Sequence, residues 1–501
     1  MSTPRVEPLL LGIDEGTTAV KAALLDSRLR PLAEARRGVA TAHPAAGRVE
    51  QDPEAVLEAV IETVEEVLAD ASDGRPIFAG LAHQGESVLA WDGRDGRPLT
   101  PIVVWQDKRQ ESLLAGVDPA VVTRSGLPLD PYFSAGKLAW LLAEEPSLRR
   151  VAQDGHLRLG TVDAFLAERL GGRFATDLST ASRTQLLALG GRDWDAQLLS
   201  AFGLQREWLP VLGPTFGRLG SLRSERWPVE LPLHAQLVDQ QAALAGSGSV
   251  AVGEVKATYG TGVFVLARTE APELLDGLIP TVAWAAPGED GGIGEVAHAL
   301  DGGVFTAGAL LEWLAGDLGL AADVPSLTRA AAAVEDSAGV RVLPALAGLG
   351  SPWWQPGARG VIAGLHGGVR GGHIARAALE GIAWRVVEIV EAVAAHEPVR
   401  MLRVDGGLSN DEALLQIQAD ALGLPLAVGR ADTTVLGAAM LAGVGAGVFE
   451  SVEAAVDRLP SQRIVAPRTS DSERVAMRQR WREFAAGAAA LAPTPAAAPS
   501  L

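Results

Sequence analysis

The chain has 501 residues, 48% hydrophobic and 21% charged, a globular composition long enough for about two to four domains. Its formal net charge of −18 disfavours a basic groove for nucleic acid. The absence of cysteine excludes disulfides, thiolate metal sites and cysteine nucleophiles.

The N-terminal MSTPRVEP has no basic segment leading into an apolar one, so no signal peptide is expected and the cytoplasm is the expected compartment. Aliphatic residues at 9–11 and 13, and again from Ala19 to Leu25, predict two strands. Between them Asp14, Glu15, Gly16, Thr17 and Thr18 predict a tight hairpin, with Gly16 free to take positive φ. Hydroxyls, a carboxylate and free N–H groups at such a tip suit a phosphate; an ordinary turn is the alternative. EARRGVAT continues as a third strand, and Asp52-Pro53 starts a helix with Val56, Val60, Val64 and Val67 on one face. A turn at Asp73-Gly74 leads to a strand over 77–84, which ends at Gly85-Glu86. Strands followed by a helix and another strand suggest a mixed sheet carrying helices.

HAQLVDQQAALAGSGS, 234–249, is a plausible crossover near a domain boundary. A second strand–turn–strand unit follows at 253–269, with Gly260, Thr261 and Gly262 at its tip. Its recurrence near mid-chain suggests two related lobes, each presenting a hairpin to a shared cleft. At 402–423 a strand meets Asp405-Gly406-Gly407 and then a helix with Leu414, Leu415 and Ile417 inward. Paired glycines admit a flat ligand such as adenine, and Ser409 or Asn410 would cap the helix. The apolar, glycine-rich stretch 433–449 is too short for a membrane span and predicts a buried helix, so no membrane insertion is expected. Beyond about residue 484 the Ala/Pro-rich sequence predicts a frayed tail. GxxxxGK[ST], GxGxxG and HExxH are all absent, which excludes a P-loop and disfavours a Rossmann site.

The three glycine elements, in this order, resemble the actin-like ATPase core. More specifically, DEGTT, IVVWQDKR, DPYFSAGKLAWLL, GTVDAFL, TDLSTASRTQLL, DQQAALAG, YGTGVF, DGGVFTAGALLEWL and RVDGG resemble the FGGY carbohydrate kinases, from about residue 9 to 485. The resemblance is strongest to the members that act on glycerol. It implies a two-lobed α/β actin-like, ribonuclease H-like fold with the ligand cleft between the lobes. The lobes would span 1–244 and 245–485, followed by a tail over 486–501. It implies ATP and Mg²⁺ as cofactors, a small polyol or sugar as substrate, and a homodimer or higher homo-oligomer. Glycerol is the first expected acceptor. The alternatives are a larger polyol or ketose of the erythritol, xylulose or ribulose type, and an ATP-dependent binding module with no acceptor.

Carried over residue by residue, the resemblance makes Asp14 a carboxylate for Mg²⁺ and sets Gly16, Thr17, Thr18 and Lys21 along the phosphates. Gly260, Thr261 and Gly262 become the second phosphate clamp. Gly308 and Glu312 flank the nucleotide, and Gly406 and Gly407 meet its adenosine end. Asp239 becomes the general base and, with Asp14, a ligand to the metal. Phosphoryl transfer needs positioning and charge neutralisation more than covalent help, which suits two hairpins, a metal and one carboxylate. Simpler readings make Asp239 a helix cap, Lys21 a solvated strand residue, Gly308 a packing residue and Glu312 part of a solvated face.

For the acceptor the resemblance points to Gly85, Glu86, Trp105, Tyr132, Asp239, Gln240 and Phe264, although aromatic residues are more often core. Two departures stand out. Glu15 replaces the family's more usual glutamine. Gly85 stands where the glycerol-phosphorylating members carry an arginine, so a cavity and missing donors are expected there. Glycerol would then bind loosely, and a larger acceptor would be preferred.

Overall fold

The computed structural model describes residues 7–69, 74–272, 274–429 and 432–491. Asp73 of the predicted turn therefore lies outside the described residues, as do residues 1–6 and the last ten of the predicted tail.

Two mixed sheets dominate. The first comprises β1 (Leu9–Glu15), β2 (Ala19–Leu25), β3 (Pro31–Gly38), β4 (Ile77–His83), β5 (Phe216–Leu222) and β6 (Leu231–Val238). Its spatial order is β5-β6-β4-β1-β2-β3. The second comprises β7 (Val255–Tyr259), β8 (Val263–Thr269), β9 (Ile279–Pro287), β10 (Ile293–Val304), β11 (Leu402–Asp405), β12 (Leu426–Val428) and β13 (Arg463–Val465). Its order is β9-β10-β8-β7-β11-β12-β13.

A common plan underlies both. β1 pairs antiparallel with β2 and parallel with β4; β7 pairs antiparallel with β8 and parallel with β11. In each sheet a further parallel strand, β6 or β12, leads towards a helix. The mid-chain recurrence in the sequence is thus a recurrence of topology. Between β4 and β5 the chain inserts Val88–Asp92, Ile102–Val103 and Leu157–Thr161, which form a smaller sheet with Glu50–Gln51 from before β4, together with several short helices.

β1 is buried on both faces, which explains its unbroken aliphatic run. Leu9, Leu11 and Ile13 face α1 (Pro53–Leu68), whose Val56, Val60, Val64 and Val67 are all buried beside them. Asp52 caps that helix by accepting from the Glu54 N–H at 3.0 Å. Leu10 faces the other way, into an apolar cluster shared by both lobes.

That shared cluster is built on two helices, α2 (Asp239–Gly246) after β6 and α3 (Thr433–Gly445) near the C-terminal end. The buried helix expected at 433–449 is present, and it lies on the first sheet. It comes close because Gly12 and Gly80, side by side in β1 and β4, leave its carbonyls room. A Cβ on either would stand 2.1 Å from a carbonyl oxygen, of Val435 or Ala438. The two helices meet backbone to backbone: a Cβ on Gly437 would lie 1.8 Å from the Ala242 oxygen, and one on Gly246 2.0 Å from that of Thr433.

Three local expectations change. Gly16 is not among the residues with positive φ; the first hairpin closes through the Gly16 N–H on the Ala19 oxygen at 3.2 Å. Ser409 and Asn410 sit in a 3₁₀ turn, and Asp411 caps the following helix (Glu412–Leu422), accepting from Leu414 N–H at 2.8 Å. The last helix (Asp471–Ala489) runs past the expected domain end at 485, with Ala488 and Ala489 buried.

Gly437→Ala should destabilise the protein by more than the roughly 1–3 kcal/mol typical of overpacking, because a carbonyl oxygen rather than a side chain must move. Gly487→Ala, exposed in the last helix with nothing within 4 Å, should stabilise it by about 1 kcal/mol. Thermal denaturation of the two variants side by side checks the opposite signs.

Candidate active site

A cavity of about 100 Å³ opens where the hairpin stems, α2 and the inserted region converge. It is far smaller than the roughly 300–1,000 Å³ of sites for drug-sized ligands. Of the expected acceptor residues, Gly85, Glu86, Trp105, Tyr132, Asp239, Gln240 and Phe264 all line it, together with Thr17 from the first hairpin. Arg183, Val238, Gln241, Leu266 and Asp301 complete the lining.

The aromatic wall is mutually braced. Trp105 meets Tyr132 edge-on at 5.7 Å and Phe264 at 6.5 Å, and its Nε1 donates to Thr17 Oγ1 at 2.9 Å. Lys137, fully buried, donates to the carbonyls of Pro131 and Tyr132 at 2.8 and 2.6 Å and so fixes the loop that carries Tyr132. Burial pushes the Lys137 ammonium down to about 7.

Glu86 adopts φ of 59°, a left-handed conformation that costs a non-glycine residue roughly 1–3 kcal/mol. Its carbonyl accepts from Ser134 Oγ at 3.2 Å, which helps hold that conformation. Gly85, by contrast, has no positive φ. Gly85 does not open a free space of its own at the Cβ position, because Val238 Cγ1 lies 3.0 Å from it, although the residue lines the cavity. Nor does the pocket lack a guanidinium, since Arg183 enters it from the segment after the short helix Leu178–Ala181. Arg183 Nε donates to Glu86 Oε1 at 2.7 Å and Nη2 meets Asp301 Oδ2 at 2.9 Å. Burial acts to lower the Arg183 pKa, but the carboxylates of Glu86 and Asp301 outweigh it and raise it. Burial raises both carboxyls in turn, and Arg183 opposes this.

Asp239 is the first residue of α2, not its cap, and its Oδ1 accepts from the Gln240 N–H at 2.6 Å. Burial, then the charges of Asp14 and Glu86, push its carboxyl up to about 7. Asp14, at the end of β1, is held at about 6, chiefly by burial, with Lys21 opposing. Lys21 itself pairs with Asp432 at 2.7 Å, joining β2 to the start of α3. Glu15 turns away from the tip and accepts from Gln84 Nε2 at 2.7 Å; burial holds its carboxyl well above the usual range. Lys256 of β7 is fully buried and donates to Gln240 Oε1 at 3.1 Å. Burial lowers its pKa against the pull of Asp405, Asp239 and Asp301.

Of the remaining expected residues, Gly308 and Gly406 pack against Tyr259–Thr261. Thr18 and Thr261 are exposed on their hairpin tips, and Gly260 N–H bonds to the Gly262 oxygen at 2.8 Å. Gly308 is buried against that tip: its N–H donates to the Gly260 oxygen at 3.0 Å, which a Cβ would approach to 2.6 Å. Glu312, four residues on, is exposed. Gly406 has φ of 89° and would set a Cβ 2.4 Å from the Tyr259 oxygen, whereas Gly407 is open to solvent. Among the described residues no cluster of three or more His, Asp or Glu forms a ready-made metal cage. No helix among them is long and apolar enough to cross a membrane.

Two topologically equivalent glycine–threonine hairpins beside a small polar cavity place the chain in the two-lobed, actin-like ATPase class. Family models agree with this. Residues 9–246 match the N-terminal domain, and 255–446 the C-terminal domain, of the FGGY family of carbohydrate kinases. The chain belongs to that family, whose phosphoryl donor is ATP. It is 42% identical over 455 residues to a glycerol kinase of Citrifermentans bemidjiense, covering 88% of this chain and 91% of that one. It is 41% identical to a glycerol kinase of Thermus brockianus, over 94% and 97% of the two chains. The crystal structure of Plasmodium falciparum glycerol kinase with ADP superposes with a TM-score of 0.88 at 28% identity, covering 96% and 98%.

The sequence reading missed Arg183, Asp301 and Lys256. Arg183 lies within TDLSTASRTQLL, so its segment carried a signal even though its place in the pocket did not.

The Asp239 carboxyl, near 7 when folded and near 3.8 when unfolded, titrates later in the folded state. Below its unfolded pKa it has no effect on stability. As pH rises between the two values the unfolded state ionises first, so stability falls, and the loss is complete above the folded pKa. Asp239→Asn should therefore raise the melting temperature of the ligand-free protein. The gain should be larger at pH 8 than at pH 5, and paired melts at the two pH values check it.

Proposed function

We propose that this kinase phosphorylates glycerol to glycerol 3-phosphate at the expense of ATP. The observation that carries the reading is the cavity itself: about 100 Å³, walled by Trp105, Tyr132 and Phe264, with carboxylates at Glu86, Asp239 and Asp301. Its size suits a three-carbon triol better than a pentulose, and the glycerol kinases cited above point the same way.

Asp239 serves as general base. As the acceptor oxygen attacks the γ-phosphorus, a new O–P bond forms and the bond to the β-phosphate oxygen breaks. The hydroxyl proton passes to the Asp239 carboxylate, and ADP departs. A carboxyl held near 7 is well matched to receiving a proton at neutral pH. Glu86 accepts from another hydroxyl, and the aromatic wall covers the carbon chain and excludes water, which limits idle hydrolysis of ATP.

Thr17, Thr18 and the Gly260–Gly262 tip hold the phosphates, while Gly406-Gly407 gives the adenosine end a surface free of side chains. Asp14 and Asp239 fit a magnesium ion: burial raises both carboxyls, the charge of Asp14 raises Asp239 further, and a cation would relieve this. Mg²⁺ needs only one or two carboxylates beside the phosphates. Bound there, it would neutralise charge on the transferring group.

Purified protein assayed for ADP release against glycerol, erythritol, xylulose and ribulose should favour glycerol in kcat/KM. Preference for a four- or five-carbon substrate would overturn the acceptor assignment. ATP hydrolysis indifferent to every polyol would indicate a binding module. Asp239→Asn should lower kcat by about 10²–10⁴-fold with ATP affinity retained. Turnover above about a tenth of wild type would remove the base role.

A further inference from the structure

Arg183 and Asp301 stand in the acceptor cavity with hydrogen-bonding capacity left over. A guanidinium carries five N–H donors in a fixed fork. Arg183 directs Nε to Glu86 and Nη2 to Asp301, which leaves Nη1 buried and without a partner in the protein. Asp301 Oδ1 is likewise buried and unpartnered. Both side chains are almost wholly buried, at 5% and 9% exposure. The guanidinium is also held against the rings of Tyr132 and Phe133, 5.8 and 5.7 Å from their centroids, so it has little freedom to turn away. Asp301 comes from β10 in the second sheet, whereas Arg183 and Glu86 belong to the first half of the chain. Unpaired polar atoms in a buried site are costly, and a polar ligand is one means of satisfying them.

We propose that Arg183 and Asp301 together select the acceptor: Arg183 donates to, and Asp301 accepts from, a hydroxyl that is not phosphorylated. This rests on the polyol reading above. Such a pair rejects an acceptor lacking that hydroxyl, because the unmet donor and acceptor stay buried. It also accounts for a polyol pocket in which position 85 contributes no side chain.

The test compares wild type, Arg183→Lys and Asp301→Asn on glycerol and on its deoxy analogues propane-1,2-diol and propane-1,3-diol, at saturating ATP. Lysine keeps the charge but loses the fork. Asparagine keeps the shape of aspartate but loses its charge, and it carries the test if Arg183→Lys does not fold. Wild type should discriminate strongly against at least one analogue. In the variants KM for glycerol should rise roughly 10- to 150-fold, as expected for a bond to a charged group, with kcat changed far less. The glycerol-to-analogue ratio of kcat/KM should shrink by a similar factor, while ATP affinity stays constant. If glycerol and both analogues decline in proportion, the pair is only structural and the proposal fails. An unchanged KM for glycerol overturns it as well. A wild type that phosphorylates glycerol without discriminating against either analogue refutes the selection alone. A wild type inert on every polyol refutes both this and the polyol reading.

Discussion

The contact on which the architecture turns is the crossing of α2 and α3, where Gly246 and Gly437 let two helix backbones touch. Each helix follows the corresponding parallel strand of its own sheet, so the crossing relates the two halves of the chain as near equivalents. Everything in the site is referred to it. Asp239 begins α2, Asp432 lies just before α3, and Thr433 hydrogen-bonds Asp405 at the edge of the Gly406-Gly407 loop. A side chain at the crossing would push the lobes apart and shift these groups together. The close packing is therefore as much a condition for catalysis as for stability.

A second constraint is electrostatic. Phosphoryl transfer to a polyol needs carboxylates near the reacting hydroxyl, and here Asp14, Glu86, Asp239 and Asp301 approach one another in a region poor in water. Their raised affinities for protons show the strain of that arrangement. Three buried cations, Arg183, Lys137 and Lys256, offset part of it, and substrate with its counter-ions supplies the rest. The ligand-free protein is thus less stable than its apolar core would allow, as is common where function concentrates like charges.

How much of this was legible in sequence follows from the range of the interactions involved. The hairpins were visible because each is local: aliphatic runs broken by Gly and Thr need no distant partner to be recognised. Gly85 was noticed for the same reason, as a single departure inside a recognisable segment. The consequence drawn from it left out Val238 and Arg183, which line the same cavity from elsewhere in the fold. No spacing rule relates those positions. Asp301 opens the recognisable segment DGGVFTAGALLEWL, but its place in the pocket depends on a strand of the opposite sheet, which no local pattern reveals. The end of the C-terminal helix was read as part of a frayed tail because its alanines resemble low complexity, and only their burial tells the two apart. Gly16 was read as free to take a left-handed backbone, yet it does not use that freedom, whereas Glu86, a non-glycine residue, does adopt one.

The position of α3 has a consequence for how the chain is made. This helix covers one face of the first sheet, yet it is translated long after that sheet is complete. At roughly 5–20 residues per second, β1, β4 and β6 wait on the order of ten seconds or more for their cover. During that interval Leu10, Ala82 and Leu237 have no apolar partner from α3. The N-terminal half therefore cannot complete its core while the ribosome is still building the second sheet. Its exposed face makes the nascent chain a natural client for chaperones, and a message truncated before residue 433 would yield a sticky fragment rather than an independent lobe.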